Sequence, residues 1–253
     1  MEIGAQLFTL RDYCRTLPEL AETLKRVADI GYKTVQVSGT CAYEPEWLKE
    51  QLEANGLRCV LTHFDPNRIR TDAARVTEDH AVFGCRYIGI GCMPGALESP
   101  EDYDRFAGGF QEAAKEIAAR GALLMYHNHH MEFMKAADGK LYIEKLSEAF
   151  SPDTLGFTLD TYWVQYGGGD PAAWIEKLSG RVPCIHLKDM SCVRKEPHMA
   201  PIGEGNLNFA RIFTAAEAAG TKYMLVEQDS CYGEDPFDCM KRSYQYLRAC
   251  GFR

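Results

Sequence analysis

Four times in the second half of this 253-residue chain, a short apolar run stops at a side chain able to hold a metal ion. The runs are ALLMY before His127, LGFTL before Asp160, VPCI before His186 and YMLV before Glu227. Carboxylates and imidazoles carried on separate strands can surround one divalent ion, and a mixed oxygen and nitrogen donor set suits manganese, cobalt, zinc or iron better than calcium. One such ion is the expected cofactor. Taken alone, Asp160 at the head of DTYW could be an N-cap, and His186 in IHLKDM a hydrogen-bonded core histidine. It is the recurrence that favours ligands. Glu227 would place a charge at the end of a buried strand, where it needs a partner. In YHNHHMEF, strand alternation puts His127 and His129 on one side and His130 toward solvent. The fourth ligand is either His127 or Glu132, and Glu132 could also fold back from the loop as a base. HExxH is absent, so a helix-borne zinc protease site is not supported.

Residues of this kind converge only if parallel strands carry them to one end. Short apolar runs bounded by turn signals read as buried parallel strands, and eight such runs alternate with helical segments. Residues 3–7 precede a helix from 18 closed by Gly31. KTVQV precedes 45–55, RCVLTH precedes 71–83 and RYIGI precedes one long helix over 99–120. ALLMYH leads across an irregular segment to LYIEKLSEAF, and LGFTLD is followed by a helix over 171–178. VPCIHL leads through a long loop to FARIFTAAEAA, and YMLVE to a last helix from 236 to about 250. This is the pattern of an α/β protein built as a single (β/α)8 TIM barrel over residues 1–253, whose chemistry would lie at the strands' C-terminal ends. No GxGxxG follows the first strand, which argues against a doubly wound sheet. The GGGD patch at 167–170 reads as a loop before a helix.

Composition supports one well-cored domain, with 46% hydrophobic and 25% charged residues. A net charge of -8 with no basic run opposes a nucleic-acid partner. No apolar run is long enough for a membrane span, and the first residues lack a secretory pattern, so a cytoplasmic location is expected. The ten cysteines contain no CxxC pair and read as reduced, mostly buried residues. The expected partner is a small carbohydrate, and assembly into a homo-oligomer stays open. By position, Gln6, Arg11, His63, His129, Trp163, Lys188 and Glu204 would surround the substrate, whereas His80 and His198 read as surface residues. The loops after the last two strands lack a Gly-rich nest. A non-phosphorylated sugar, polyol ketone or keto-glycoside therefore fits better than a sugar phosphate.

The motifs GAQLFTLRD, YHNHHMEF, DTYWVQYGGGDPAAWIEKLSGRVPCIHLKDM, PIGEGNLNF and VEQD resemble the xylose-isomerase-like TIM-barrel superfamily of sugar phosphate isomerases and epimerases, nearly end to end. The resemblance implies an ion held by two glutamates, an aspartate and a histidine from the last four strands, mapping onto Asp160, His186 and Glu227. At the first glutamate's place this sequence has His127, with Glu132 five residues on. The implied reaction is metal-dependent isomerisation or epimerisation of a sugar or keto-sugar through an enediolate, with Glu132, Glu227 and Lys188 as candidate catalytic groups. A dehydratase or lyase acting on an inosose or keto-glycoside is the alternative, since the same enediolate can expel a leaving group. A non-catalytic sugar-binding barrel, a metal-free glycosidase and a DNA-repair endonuclease of the same superfamily are weaker readings. Asp160→Ala and Glu227→Ala are each expected to abolish bound metal and activity while the barrel stays folded. Elemental analysis beside circular dichroism checks this, and an active variant would sink the assignment.

Overall fold

The apolar runs become strands because Val, Ile, Leu and Phe pack well on both faces of a parallel sheet covered by helices. The computed structural model describes residues 1–253. Its barrel strands are β1 (Glu2–Gln6), β2 (Thr34–Val37), β3 (Arg58–His63), β4 (Tyr87–Ile90), β5 (Leu123–His127), β6 (Leu155–Asp160) and β7 (Cys184–Leu187). A hairpin of β8 (Asp189–Val193) and β9 (Glu196–Ala200) follows, and the eighth barrel strand is β10 (Tyr223–Val226). Every barrel pairing is parallel, and β10 closes the sheet between β7 and β1.

The helices are α1 (Leu17–Ile30), α2 (Pro45–Ala54), α3 (Pro66–Thr71), α4 (Ala73–Val82), α5 (Pro100–Gly109) and α6 (Gln111–Ala119). They continue as α7 (Tyr142–Ala149), α8 (Thr161–Tyr166), α9 (Pro171–Lys177), α10 (Phe209–Ala218) and α11 (Pro236–Ala249). Most of the buried apolar residues form one cluster between strands and helices. A smaller cluster of Val60, Leu61, Met125, Cys184 and Leu225 is separate from it. Strand alternation carries Leu61, Met125, Cys184 and Leu225 on the same side as His63, His127, His186 and Glu227, two residues further along. A polar layer at the mouth thus rests on an apolar one.

Four departures from the sequence pattern have local causes. The helix expected over 99–120 is two helices, α5 ending at the weak helix formers Gly108 and Gly109 and α6 starting after Phe110. The helix expected over 71–83 is α4, and a further short helix, α3, precedes it across Asp72. DTYWVQY is helical, since Asp160 caps its own following turn. The long loop after VPCIHL contains the β8–β9 hairpin, whose turn residues Arg194 and Lys195 both take positive φ (51° and 74°). That turn normally calls for Asn-Gly, so the sequence carries no signal for it. Asp189, opening the hairpin, accepts the backbone N–H groups of Gly203, Gly205 and Leu207 and so ties down the GEGN loop.

His80 is not a surface residue. It is 1% exposed on α4, with Nε2 2.9 Å from Thr62 Oγ1 and Nδ1 2.7 Å from the Val76 carbonyl. The apolar positions of α4 turn it inward against Phe64 and Phe83. Burial pushes its pKa down to about 4, so the folded state holds it neutral. A depressed histidine pKa makes stability complete above about 6.5 and removes it as pH falls toward about 4, by up to about 3 kcal/mol. Urea unfolding across that window is expected to weaken more steeply for the native chain than for His80→Gln, and parallel curves would refute the assignment.

Candidate metal centre and active site

The inward side chains at the ends of β5, β6 and β7, and just past β10, meet at one point. His127, Asp160, His186 and Glu227 each offer a ligand atom, all lying within 4.8 Å of one another and all buried, in a group that could hold a metal ion. Register brings this about, since Asp160 pairs directly with His186 across β6 and β7, and the Glu227 N–H donates to the Leu187 carbonyl. Asp160 is both cap and cluster member. Its Oδ1 accepts from the Trp163 N–H at 2.9 Å, while Oδ2 faces His127 Nε2 at 3.2 Å and His186 Nδ1 at 3.7 Å.

The outer nitrogens of both rings meet acceptors. His127 Nδ1 lies 2.9 Å from the Gly91 carbonyl, and His186 Nε2 lies 2.6 Å from Gln36 Oε1. An N–H donated outward to each acceptor leaves His127 Nε2 and His186 Nδ1 as lone pairs turned into the cluster. His186 Nδ1 and Glu227 Oε2 approach to 2.9 Å without hydrogen-bond geometry. Two electron-pair donors aimed past one another at a common point suit a divalent ion.

The charge balance agrees. Lys188, itself buried, lies 3.0 Å from Asp160 Oδ2, 2.8 Å from Glu227 Oε2 and 3.0 Å from Asp229 Oδ1. One ammonium faces Asp160, Glu227 and Asp229, so neutral histidines leave the site short of positive charge. Burial works against both Asp160 and Glu227 as anions, yet Lys188 and the histidines hold their pKa values well below the usual range. Burial also opposes a charge on His186, but Glu227 and Asp160 outweigh it and raise its affinity for a proton. Burial and the neighbouring Glu227 push Asp229 up to about 7. The negative charge of Glu227 that contributes to this shift would also favour a cation.

Glu132 does not join this group. It is fully buried and committed elsewhere, accepting from the Tyr126 hydroxyl at 2.5 Å and the His129 N–H at 2.7 Å. Its place in the short turn Met131–Phe133 folds the carboxylate back under its own loop, so His127 is the residue brought to the cluster. Glu204 also departs from expectation, since it is exposed and paired with Arg242 at 2.8 Å. Arg11 donates to the backbone carbonyls of Phe8 and Asp229, so it braces the loop after β10. His130 is exposed against Trp163, and His198 is half-buried, stacked on Tyr232.

His63, His129, Lys188 and Glu227 line a cavity of about 440 Å³, together with Phe8, Ser38, Phe64 and Asp229. His63 bonds Ser38 Oγ through Nδ1 at 3.2 Å and has an unpartnered Nε2; His129 has an unpartnered Nδ1. Burial and His127 push His129 down to about 3. Gln6 is buried with Oε1 accepting from the Phe8 N–H and Nε2 unpartnered, and Trp163 packs against His129 with Nε1 unpartnered. A larger cavity of about 570 Å³, bordered by Arg58, Arg86 and Lys222, opens at the strands' N-terminal ends, away from these groups. Sequence reasoning missed Gln36 and Asp229. Gln36 was findable by alternation, as it follows inward Thr34 by two within β2, whereas Asp229 lies past the end of β10, where the strand period gives no signal.

A closed parallel barrel with a buried histidine and carboxylate cluster at its C-terminal mouth defines a class of barrel proteins whose site could hold a cation. The chain belongs to the xylose isomerase-like TIM barrel family, whose model matches residues 24–250. It is similar to an inosose dehydratase of Geobacillus kaustophilus (strain HTA426), 22% identical over 269 residues, covering 89% of this chain and 85% of that protein. A sugar phosphate isomerase/epimerase from Parabacteroides distasonis ATCC 8503 has the same fold, with a TM-score of 0.82 at 24% identity over 98% of this chain and 93% of that one. L-ribulose 3-epimerase has it too, at TM-score 0.76 and 16% identity, covering 98% and 94%. These relatives are named as enzymes, and no helix of this chain is long and apolar enough to cross a membrane.

Gln36 acts on the cluster through His186, whose ring it orients. Gln36→Leu is expected to weaken binding of a divalent ion by roughly 10- to 100-fold while leaving the barrel folded. Calorimetric titration of the metal-free protein checks this, and unchanged affinity would remove Gln36 from the site.

Proposed function

We propose that this chain is a divalent-metal-dependent dehydratase or lyase acting on a keto-polyol of the inosose class or on a keto-glycoside. The observation that carries this reading is that Glu227 and Lys188, a base and an acid, both line the cavity while Glu132 is committed to Tyr126 and the His129 N–H. Epimerisation needs a second acid to return a proton to the opposite face of the carbon. Elimination needs one base beside one acid. The similarity to inosose dehydratases, recurring at 20–24% identity, supports the same choice.

His127, Asp160, His186 and Glu227 would hold the ion, for which the donor set suits manganese, cobalt, zinc or iron. When bound, it supplies positive charge for the substrate carbonyl oxygen, where negative charge grows as the adjacent C–H bond breaks. Glu227 takes that proton. The electron pair left on carbon forms the new C=C bond as the β-substituent departs, and Lys188 protonates the leaving oxygen to give water or an alcohol. The proton on Glu227 then returns to the amine of Lys188, which lies between Glu227 and Asp229. Both groups end as they began. His63 and His129 border the cavity with unpartnered ring nitrogens suited to substrate hydroxyls.

Aldose-ketose isomerisation is the second reading, favoured by the same placement of Glu227, because one base can return a proton to the neighbouring carbon on the same face. The two separate at Lys188. In deuterated water with an inosose, Lys188→Met is expected to retain exchange of the acidic C–H while elimination falls at least about 100-fold, and Glu227→Gln is expected to lose both. Formation of a ketose or epimer by the native chain, with no unsaturated product, would overturn the dehydratase reading.

A further inference from the structure

Lys188 sits on the oxygens that a divalent ion would need. Its Nζ lies 3.0 Å from Asp160 Oδ2 and 2.8 Å from Glu227 Oε2, both members of the cluster of four. Its remaining partner, Asp229, stands outside that cluster and borders the cavity, with Oδ1 at 3.0 Å and Oδ2 at 3.1 Å from Nζ. The lysine backbone is pinned. Thr161 Oγ1 donates to the Lys188 carbonyl at 2.7 Å, and the Lys188 N–H approaches the same oxygen at 3.0 Å. The four-carbon side chain can swing about that anchor, whereas Asp160 is held by its cap and by Asn128, which accepts the Asp160 N–H. An ammonium and a divalent ion cannot rest on the same two oxygens, because like charges at contact distance in a buried site repel strongly.

We propose that Lys188 is a resident counter-cation that competes with the metal for Asp160 and Glu227, and that Asp229 is the berth holding its ammonium when the metal binds. This rests on the metal-centred reading of the cluster. Metal binding is then an exchange of cations rather than an addition. The ammonium keeps the carboxylates tolerable inside the barrel before metal arrives, and Asp229 keeps it beside the substrate afterwards. Asp229 is suited to that task because it is less buried than the two ligand carboxylates, its side chain being 25% exposed against 0% for Asp160 and 4% for Glu227.

The test is calorimetric titration of chelator-treated protein with Mn2+, together with thermal unfolding of the metal-free forms. Lys188→Met is expected to bind Mn2+ at least about tenfold more tightly than the native chain. Its metal-free Tm is expected to fall by roughly 5 °C or more, and Mn2+ should restore it. If Lys188→Met does not fold without metal, recovery of its circular dichroism on adding Mn2+ is the same result. Removing a positive charge could tighten metal binding at a distance, so Asp229→Asn is made in both backgrounds. It should weaken Mn2+ binding when Lys188 is present and change it little in Lys188→Met. An equal loss in both backgrounds would overturn the berth. Unchanged affinity and unchanged metal-free stability in Lys188→Met would overturn the competitor while leaving the metal centre standing. Failure of both the native chain and Lys188→Met to bind any divalent ion would overturn the metal-centred reading itself.

Discussion

Carboxylates sealed inside a protein must be neutralised, and Asp160 and Glu227 lie at the barrel mouth with side chains 0% and 4% exposed. Water cannot stabilise them there, so the surrounding structure is arranged to do it. Lys188 contributes one positive charge, and His127 and His186 turn ring nitrogens toward the same point. The histidines can do so because Gly91 and Gln36 engage their outer nitrogens. Asn128 and the first turn of α8 hold Asp160 in place. Each of these contacts serves the same electrostatic need, and together they leave a site short of positive charge.

The barrel supplies the geometry through the two-residue period of its strands. Gln6, Gln36, His63, His127, Asp160, His186 and Glu227 come from seven different strands or their immediate ends, yet alternation turns them to one layer. Directly below, Leu61, Met125, Cys184 and Leu225 form an apolar plug. The plug keeps water from the cluster's inner side, so the charges there interact more strongly than they would at a surface. Glycine enters the same interior where space is shortest, as at Gly89, where a Cβ would lie 2.3 Å from the Thr62 carbonyl oxygen.

His127 stands where the resemblance implies a glutamate. The resemblance implies two carboxylates for exchanging a proton across a substrate, but Glu132 is spent holding Tyr126 and the backbone of His129. Glu227 and Asp229 remain beside one ammonium at the cavity. The elimination proposed for this site calls on Glu227 as base and Lys188 as acid, without Glu132.

Much of this was legible in the linear chain. Eight apolar runs, the helix stops at Gly31, Gly56, Gly121 and Gly220, and ligand-type residues closing four strands pointed to the barrel and its functional end. Those signals are local, because burial on both faces of a strand requires a continuous apolar run and a helix end requires a residue tolerant of positive φ. The choice between His127 and Glu132 was not local. It turned on where the backbone after β5 curls and on Tyr126 claiming the carboxylate. The burial of His80, the exposure of Glu204 and the hairpin built on Arg194 and Lys195 were likewise settled by neighbours distant in sequence or by a backbone turn with no sequence mark. The sequence by itself determined the fold and the chemical kind of residue at the strand ends, because periodicity and burial act along the chain. Only the tertiary structure decided which of those residues share a charge, because electrostatic partnership depends on distance in space.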